Sequence, residues 1–145
     1  MIIKEAEEKD YESLFPIGKR IHGFNPEKEL PFYSESMGFE LFVLEDDEGK
    51  NIAFCCVRID CDEEIEIDYI AIDEKMEGKG YASQFLNEIC DEYFKDKVEK
   101  IFLEVRSKNT KAIAFYERNG FVNYNTRKKY YGDDDGLQYV KEKKQ

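Results

Sequence analysis

Apolar and polar positions along the chain fall into segments of two periods. Ile2 to Ala6 reads as a short strand, and Asp10 can then cap a helix with Tyr11, Leu14 and Phe15 on one face. Pro16 and Gly18 keep that helix short or kinked. Asn25-Pro26-Glu27 combines a cap, a first-turn proline and an acidic first turn, which predicts a second helix running toward Met37. Phe39 to Glu45 and Ile52 to Ile59 are rich in β-formers. The turn-forming Asp46-Asp47-Glu48-Gly49-Lys50 between them predicts a hairpin whose second strand ends near Asp60.

Ile65, Ile67 and Tyr69 alternate with Glu66 and Asp68, but from Ile70 through Ala71 to Ile72 the alternation becomes a continuous apolar run. Either full burial or a bulge would produce that change. From Tyr81, the residues Ala82, Phe85, Leu86, Ile89, Cys90, Tyr93 and Phe94 recur at helical spacing and define the strongest helix of the chain. Ile101, Leu103 and Val105 alternate with Phe102, Glu104 and Arg106 as a strand, and Asn109 or Thr110 then caps a helix that closes at Asn119-Gly120. Phe121 to Tyr131 and Leu137 to Val140 read as two closing strands. The order, βααβββαβαββ, is that of an α/β chain with a mixed central sheet of about seven strands flanked by about four helices.

A length of 145 residues predicts one domain spanning 1–145, and 41% hydrophobic with 14% aromatic residues supply enough apolar surface for one core. The net charge of −11 repels polyanions, so nucleic acid is not an expected partner; it suits cationic acceptors such as amines, or simply a well-solvated surface. Met1-Ile2-Ile3-Lys4-Glu5-Ala6-Glu7-Glu8 turns acidic too soon for a signal peptide and no run approaches membrane-spanning length, so a cytoplasmic protein without a membrane partner is expected. Cys55, Cys56, Cys61 and Cys90 lack paired metal-ligand spacing and read as buried thiols, with no metal expected. The single histidine, His22, falls in the loop between the first two helices and reads as a surface residue. Oligomeric state leaves no mark on the sequence.

Candidate chemistry begins at Ile70-Ala71-Ile72-Asp73-Glu74-Lys75-Met76-Glu77-Gly78-Lys79-Gly80-Tyr81-Ala82-Ser83, a strand that runs through a glycine loop directly into the strongest helix. Glycines let backbone N–H groups converge on one point, the helix start adds unpaired donors and partial positive charge, and Lys79 can add a full charge, so an anionic phosphate would fit. A plain strand-to-helix turn is the other reading of the same residues. The loop is neither G-x-x-x-x-G-K-S/T nor G-x-G-x-x-G, because Ser83 stands where a third glycine would be, which argues against nucleotide hydrolysis and hydride transfer.

Residues 70 to 83 resemble the acetyl-CoA loop of the GNAT superfamily of N-acetyltransferases, whose Q/R-x-x-G-x-G/A pattern falls on Glu77, Gly78, Lys79, Gly80, Tyr81 and Ala82. The element order resembles that fold throughout. The resemblance implies acetyl-CoA as co-substrate, gripped by Glu77 to Ser83, with Ile70, Ala71 and Ile72 on a splayed strand pairing with the pantetheine arm. Glu77 departs from the pattern's Gln or Arg, so either the backbone carries the diphosphate contact or affinity is reduced.

Leu103-Glu104-Val105-Arg106-Ser107-Lys108-Asn109 and Ala112 to Phe121 resemble the L-E-V-R-x-x-N-x-x-A-x-x-x-Y-x-x-x-G-F signature of the GNAT branch that acetylates protein N-termini, including the ribosomal-protein alanine acetyltransferases. A protonated amine cannot attack a thioester, so a base must take its proton and an acid beside the sulfur helps the thiolate leave. The resemblance makes Glu104 the candidate base and Tyr116 the candidate acid and coenzyme contact, with Asn109 on the pantetheine amide. No acyl-enzyme is required, so no cysteine need be a nucleophile. By position alone, Glu104 could instead pair with Arg106, and Tyr116 could fill the core beside Ala112 and Ile113.

Lys128-Lys129-Tyr130-Tyr131 resembles the K-x-Y-Y hairpin with which N-terminal acetyltransferases hold an acceptor peptide, although Gly136-Leu137 follows where the family often has acid then alanine. Tyr130 and Tyr131 are therefore candidate acceptor contacts, or ordinary cross-strand packing. The opposite wall falls to the helix-loop-helix region, with Phe24, Phe32 and Tyr33 as candidates. The acceptor implied is an amine, with a protein N-terminus favoured over a polyamine or aminoglycoside-like molecule; a non-catalytic acyl-CoA sensor is the reading from a different class.

Overall fold

The computed structural model describes residues 1–144. Its elements follow the order expected from the sequence: β1 (Ile2–Glu5), α1 (Tyr11–Gly18), α2 (Pro26–Glu35), β2 (Phe39–Glu45), β3 (Asn51–Cys61), β4 (Glu64–Ile72), α3 (Tyr81–Lys95), β5 (Lys100–Arg106), α4 (Thr110–Arg118), β6 (Val122–Arg127) and β7 (Gly136–Glu142). Single-turn 3-10 helices at Glu8–Asp10 and Glu74–Met76 are additions. The strands form one mixed sheet in the order β1-β2-β3-β4-β5-β7-β6. Contacts group the chain into two units, Met1–Ile59 with Ile67–Leu86, and Asp60–Glu66 with the described chain from Asn87 onward.

In the first unit β1, β2 and β3 pair antiparallel, Ile3 opposite Leu44 and Val43 opposite Phe54. The turn-forming run between β2 and β3 closes through Asp46, whose carboxylate accepts from the amides of Glu48 and Lys50, with Gly49 at a φ of 83° that favours glycine. Helix α1 buries Tyr11, Leu14 and Ile17, one face at helical spacing, and α2 buries Leu30 and Tyr33. These side chains pack with Phe24 against Leu41, Val43, Phe54 and Cys56 of the sheet. α1 stops at Gly18 because the chain folds back on itself there: a Cβ on Gly18 would sit 3.0 Å from the Phe24 ring.

Asp10 ties this unit together in a way its cap position only partly foretells. Its carboxylate is buried, accepts from the Glu7 amide at 2.9 Å and from the Asn51 side chain at 3.0 Å, and lies 3.5 Å from the Lys4 ammonium. Burial alone would push the Asp10 carboxyl up, but the Glu7 and Asn51 bonds with the Lys4 charge outweigh it and hold it below the ordinary value. Its folded pKa being depressed, Asp10 stabilises fully above the ordinary carboxylate range and loses that contribution as pH falls through the folded value. Asp10→Ala leaves the Glu7 amide and one Asn51 N–H without an acceptor, while Lys4 keeps Glu45 at 2.9 Å, and is expected to cost about 2 kcal/mol. Urea unfolding checks it, with the difference from the parent protein shrinking as pH is lowered.

The second unit is built on β5, whose burial alternates as expected: Ile101, Leu103 and Val105 are buried. β5 pairs in parallel with the start of β4, from Glu64 opposite Lys100 to Glu66 opposite Phe102, and antiparallel with β7 along its whole length. The β4 ladder with β5 ends at that third pair, while β4 itself continues to Ile72. β6 pairs antiparallel with β7, with a register shift between Asn123 and Asn125. Helix α4 is capped by Asn109, whose side chain accepts from the Ala112 amide at 3.2 Å, and terminates at Asn119 with Gly120 at a φ of 91°.

Two expectations are corrected, and one of two alternatives is removed. The segment from Lys128 to Tyr131 is turn rather than strand, since β6 ends at Arg127 and Lys129 takes a φ of 51° that no strand accommodates. Cys61 is exposed because the last residues of β3, Arg58 to Cys61, leave the core, whereas Cys55, Cys56 and Cys90 are buried as expected. Full burial of Ile70 to Ile72 does not occur: all three are half-buried at the end of β4.

Candidate active site

The glycine loop and the Glu104 region lie in different units, and each has its own geometry. At the loop, Asp73 closes β4 by donating its amide to the Ile52 carbonyl at 2.7 Å and accepts from the Lys75 amide at 3.0 Å, which starts the 3-10 turn. Gly78 and Gly80 then adopt φ values of 77° and 83°, and a Cβ at either would meet nothing within 4 Å. Backbone conformation, not crowding, therefore requires glycine, and the space over the loop is open. The ladder of α3 begins with the Gln84 amide donating to the Gly80 carbonyl at 3.1 Å, so the amides of Tyr81, Ala82 and Ser83 precede any helical acceptor. Glu77, Gly78, Lys79 and Gly80 are exposed and Tyr81, Ala82 and Ser83 half-buried.

Sequence reasoning missed Arg20 at this loop. Its guanidinium donates to the Ile72 carbonyl at 3.2 Å and to the Glu77 carboxylate at 3.0 Å. Arg20 follows α1, far from the loop in sequence, and no local pattern singles it out. The one available signal was the unexplained carboxylate at position 77, which calls for a cation.

Also in the first unit, the side chains of Phe32 and Tyr33 diverge. Phe32 is 47% exposed, while Tyr33 is buried among Phe32, Phe39 and Tyr69 and donates its hydroxyl to Asp68 at 2.6 Å. Burial first, then the Asp68 bond and charge, push the Tyr33 phenol far above its ordinary value, so it stays protonated. Phe24 is buried, stacked on Phe54 and edge-on to Tyr69. His22 is exposed.

In the second unit Glu104 points across the sheet toward Arg127 rather than along its own strand to Arg106. Arg127 on β6 meets Glu104 Oε1 at 2.8 Å, and the Glu104 side chain is only 12% exposed. Its other oxygen, Oε2, is buried and meets no hydrogen-bond donor among the described residues. A Cβ on Gly136 would lie 2.5 Å from that oxygen, so glycine at the start of β7 is what allows the carboxylate to rest there. Arg106 instead lies 4.2 Å above the Tyr131 ring, as Arg127 lies 4.3 Å above the Tyr130 ring. The two tyrosine rings meet edge to face at 5.0 Å. Burial first and the Glu104 charge second push the Tyr131 phenol up to about 12.

The turn that carries these tyrosines is fastened to the end of β5. Asp134 is buried and accepts from the Ser107 hydroxyl and, at 3.4 Å, from the Lys108 amide; the Asp135 carbonyl accepts from the Ser107 amide at 2.9 Å. The Tyr131 amide returns a bond to the Asp134 carbonyl at 3.0 Å, and the Lys129 amide one to the Asp135 carboxylate at 2.8 Å. The Ser107 bond, more than the opposing burial, holds the Asp134 carboxyl below its ordinary value. The acidic run Asp133-Asp134-Asp135 thus contains a buried fastener.

Tyr116 is half-buried on α4, its ring edge-on to Phe115 at 5.2 Å and Phe121 at 5.8 Å. It is packed on one side without being core. Asn109 Oδ1 is committed to the helix cap, which leaves its amide N–H groups for any further partner. Burial raises the Cys56 thiol and pushes Cys90 up to about 12, so neither is a thiolate at neutral pH. No helix of the described residues is long and apolar enough to cross a membrane.

Comparison with known proteins identifies the family. The acetyltransferase (GNAT) family model matches residues 3–121. The ribosomal protein bS18-alanine N-acetyltransferase of Escherichia coli strain K12 is 33% identical over 134 residues, covering 92% of this chain and 89% of its own. The crystal structure of the ribosomal-protein-S18-alanine N-acetyltransferase from Escherichia coli superposes with a TM-score of 0.84 at 27% identity, covering 99% of this chain and 94% of that one. A GNAT family acetyltransferase from Elizabethkingia anophelis with acetyl-CoA bound shares the fold at a TM-score of 0.77 and 20% identity, each chain covered to 97%. With a family model that spans most of the chain and a relative that matches it nearly end to end, the protein belongs to the acetyltransferase (GNAT) family and is an enzyme that transfers an acetyl group to an amine.

Proposed function

We propose that this acetyltransferase draws its acyl group from acetyl-CoA and delivers it to the α-amine of a protein N-terminus, with Glu104 taking the amine's proton and Tyr116 protonating the departing thiolate. The observation that carries the reading is the state of Glu104. Arg127 meets one oxygen of a nearly buried carboxylate, while the other meets no hydrogen-bond donor among the described residues, the arrangement that a proton acceptor needs. A carboxylate with no chemical task would be expected to have that buried oxygen satisfied.

The reaction balances without an intermediate on the enzyme. An N–H⁺ proton of the acceptor passes to Glu104, directly or through one water, and the amine nitrogen bonds to the thioester carbonyl carbon. The C–S bond then breaks, and the Tyr116 hydroxyl gives its proton to the sulfur. The attached nitrogen still carries one proton more than the amide and passes it, through water, to the Tyr116 phenolate; with Glu104 releasing its own proton to solvent, the products are the N-acetylated amine, coenzyme A and one proton, and both residues are back in their starting state. The high thiol pKa values of Cys56 and Cys90 accord with direct transfer.

The diphosphate of the coenzyme fits the open glycine loop and the leading amides of α3, and the end of β4, which runs past its ladder with β5, suits the pantetheine arm through Ile70, Ala71 and Ile72. Asn109 would offer its amide N–H groups to the same arm. For the acceptor, Tyr130 and Tyr131 supply rigid aromatic surface on a fastened turn, which suits a short extended peptide, and the exposed ring of Phe32 is a further contact. The relatives named for ribosomal-protein alanine acetylation point to the same acceptor class.

Thiol release from acetyl-CoA against a panel of short peptides with unblocked N-termini, run beside polyamines and aminoglycosides, tests the acceptor. Turnover concentrated on the peptides is expected, and turnover of small amines alone would reject it. Gly136→Ala tests the Glu104 assignment from the opposite side. The new methyl would sit 2.5 Å from Glu104 Oε2 and 3.3 Å from the Tyr130 ring, so the carboxylate has to shift from its place beside Arg127. Activity is expected to fall by at least about tenfold in a variant that circular dichroism shows to be folded.

A further inference from the structure

The glycine loop presents a physical conflict. An anion site assembled from backbone amides and a helix start carries a carboxylate, Glu77, at its entrance, and a carboxylate there repels any phosphate that approaches. Arg20 answers that charge from another element, its guanidinium bridging the Ile72 carbonyl and the Glu77 carboxylate. The pair is 42% and 36% exposed at its two side chains, and a surface ion pair of that kind contributes little to stability. A guanidinium has five N–H donors, and the two bonds leave others to spare. It also matches phosphate oxygens in a two-point fork that an ammonium lacks.

We infer that Arg20 is a coenzyme-binding residue, supplying the cation for the diphosphate of acetyl-CoA, and that Glu77 serves to hold the guanidinium at the loop rather than to touch the anion. This rests on the proposed use of the loop for acetyl-CoA. Removing Arg20 then does two things at once: it deletes a favourable charge and uncovers an unfavourable one. A neutral isostere at position 77 undoes the second loss. The loop therefore distinguishes a charge role for Arg20 from that of a simple strut between α1 and β4.

Coenzyme A binding by calorimetry, and kcat/KM for acetyl-CoA set against S-acetylpantetheine, which lacks the diphosphate, test this in Arg20→Ala and in Arg20→Ala combined with Glu77→Gln. Arg20→Ala is expected to weaken coenzyme A binding by about tenfold or more and to lower the acetyl-CoA to S-acetylpantetheine preference by a similar factor. The combined variant should recover part of both. Parent-like coenzyme A binding by Arg20→Ala, or equal losses on the two thioesters with no recovery in the combined variant, would overturn the inference while leaving the proposed function standing. Failure of the unaltered protein to bind coenzyme A would overturn both.

Discussion

Glu104→Gln is expected to lower turnover with a peptide acceptor by on the order of a hundredfold near neutral pH. The amide keeps the size of the carboxylate and can still sit between Arg127 and Gly136, but it has no lone pair basic enough to take a proton from an ammonium. The acceptor must then reach the thioester already deprotonated. A peptide α-amine has a pKa of about 8, so its neutral fraction rises as pH approaches that value. The deficit of Glu104→Gln should therefore narrow steadily on the alkaline side, whereas a merely structural lesion would leave it constant. Rates measured across that range separate the two, and a variant as fast as the parent at neutral pH would remove Glu104 from the mechanism.

Tyr116→Phe is expected to cost turnover by a similar factor, on the order of a hundredfold. The substitution keeps the ring, and so keeps the contacts with Phe115 and Phe121 that seat it on α4, while deleting the one hydroxyl. The loss belongs to the departing sulfur, which has to leave as a bare thiolate. An acetyl thioester of a more acidic thiol needs less help, so the penalty of Tyr116→Phe should shrink on such a donor and that of Glu104→Gln should not. Equal penalties on both donors would remove the acid role.

The parts of this structure that were legible in the sequence are those set by local periodicity. The helix from Tyr81 starts at that residue and buries Phe85, Leu86, Ile89 and Cys90, and the alternation of Ile101, Leu103 and Val105 is the burial pattern of β5. Asn109 caps its helix, and the glycine pair bends the loop between strand and helix, with positive φ at both positions. A β-branched or charged alternation carries its own structural instruction, and no distant residue had to agree.

What was not legible depended on residues remote in sequence. Tyr130 and Tyr131 carry strand propensity, but Asp134 and Asp135, fastened to Ser107, draw that segment into a turn. Periodicity cannot say which of two adjacent aromatics faces inward when a helix is short, and Tyr33 rather than Phe32 found an acceptor in Asp68. Glu104 has Arg106 two residues away on its own strand, but its ion pair is with Arg127, because β6 and β5 both flank β7 and the register brings Arg127 opposite Gly136. Arg20 and Glu77 are likewise joined only by folding.

The site that receives the acetyl group decides between an N-terminal α-amine and any other acceptor. A peptide with both an N-terminal alanine and an internal lysine, incubated with the protein and acetyl-CoA and fragmented in a mass spectrometer, gives the answer in one experiment. Acetyl on the alanine α-amine, with stoichiometric release of coenzyme A and none retained on the enzyme, is the predicted result. Acetyl on the lysine side chain alone, or held covalently by a cysteine of the protein, would contradict it.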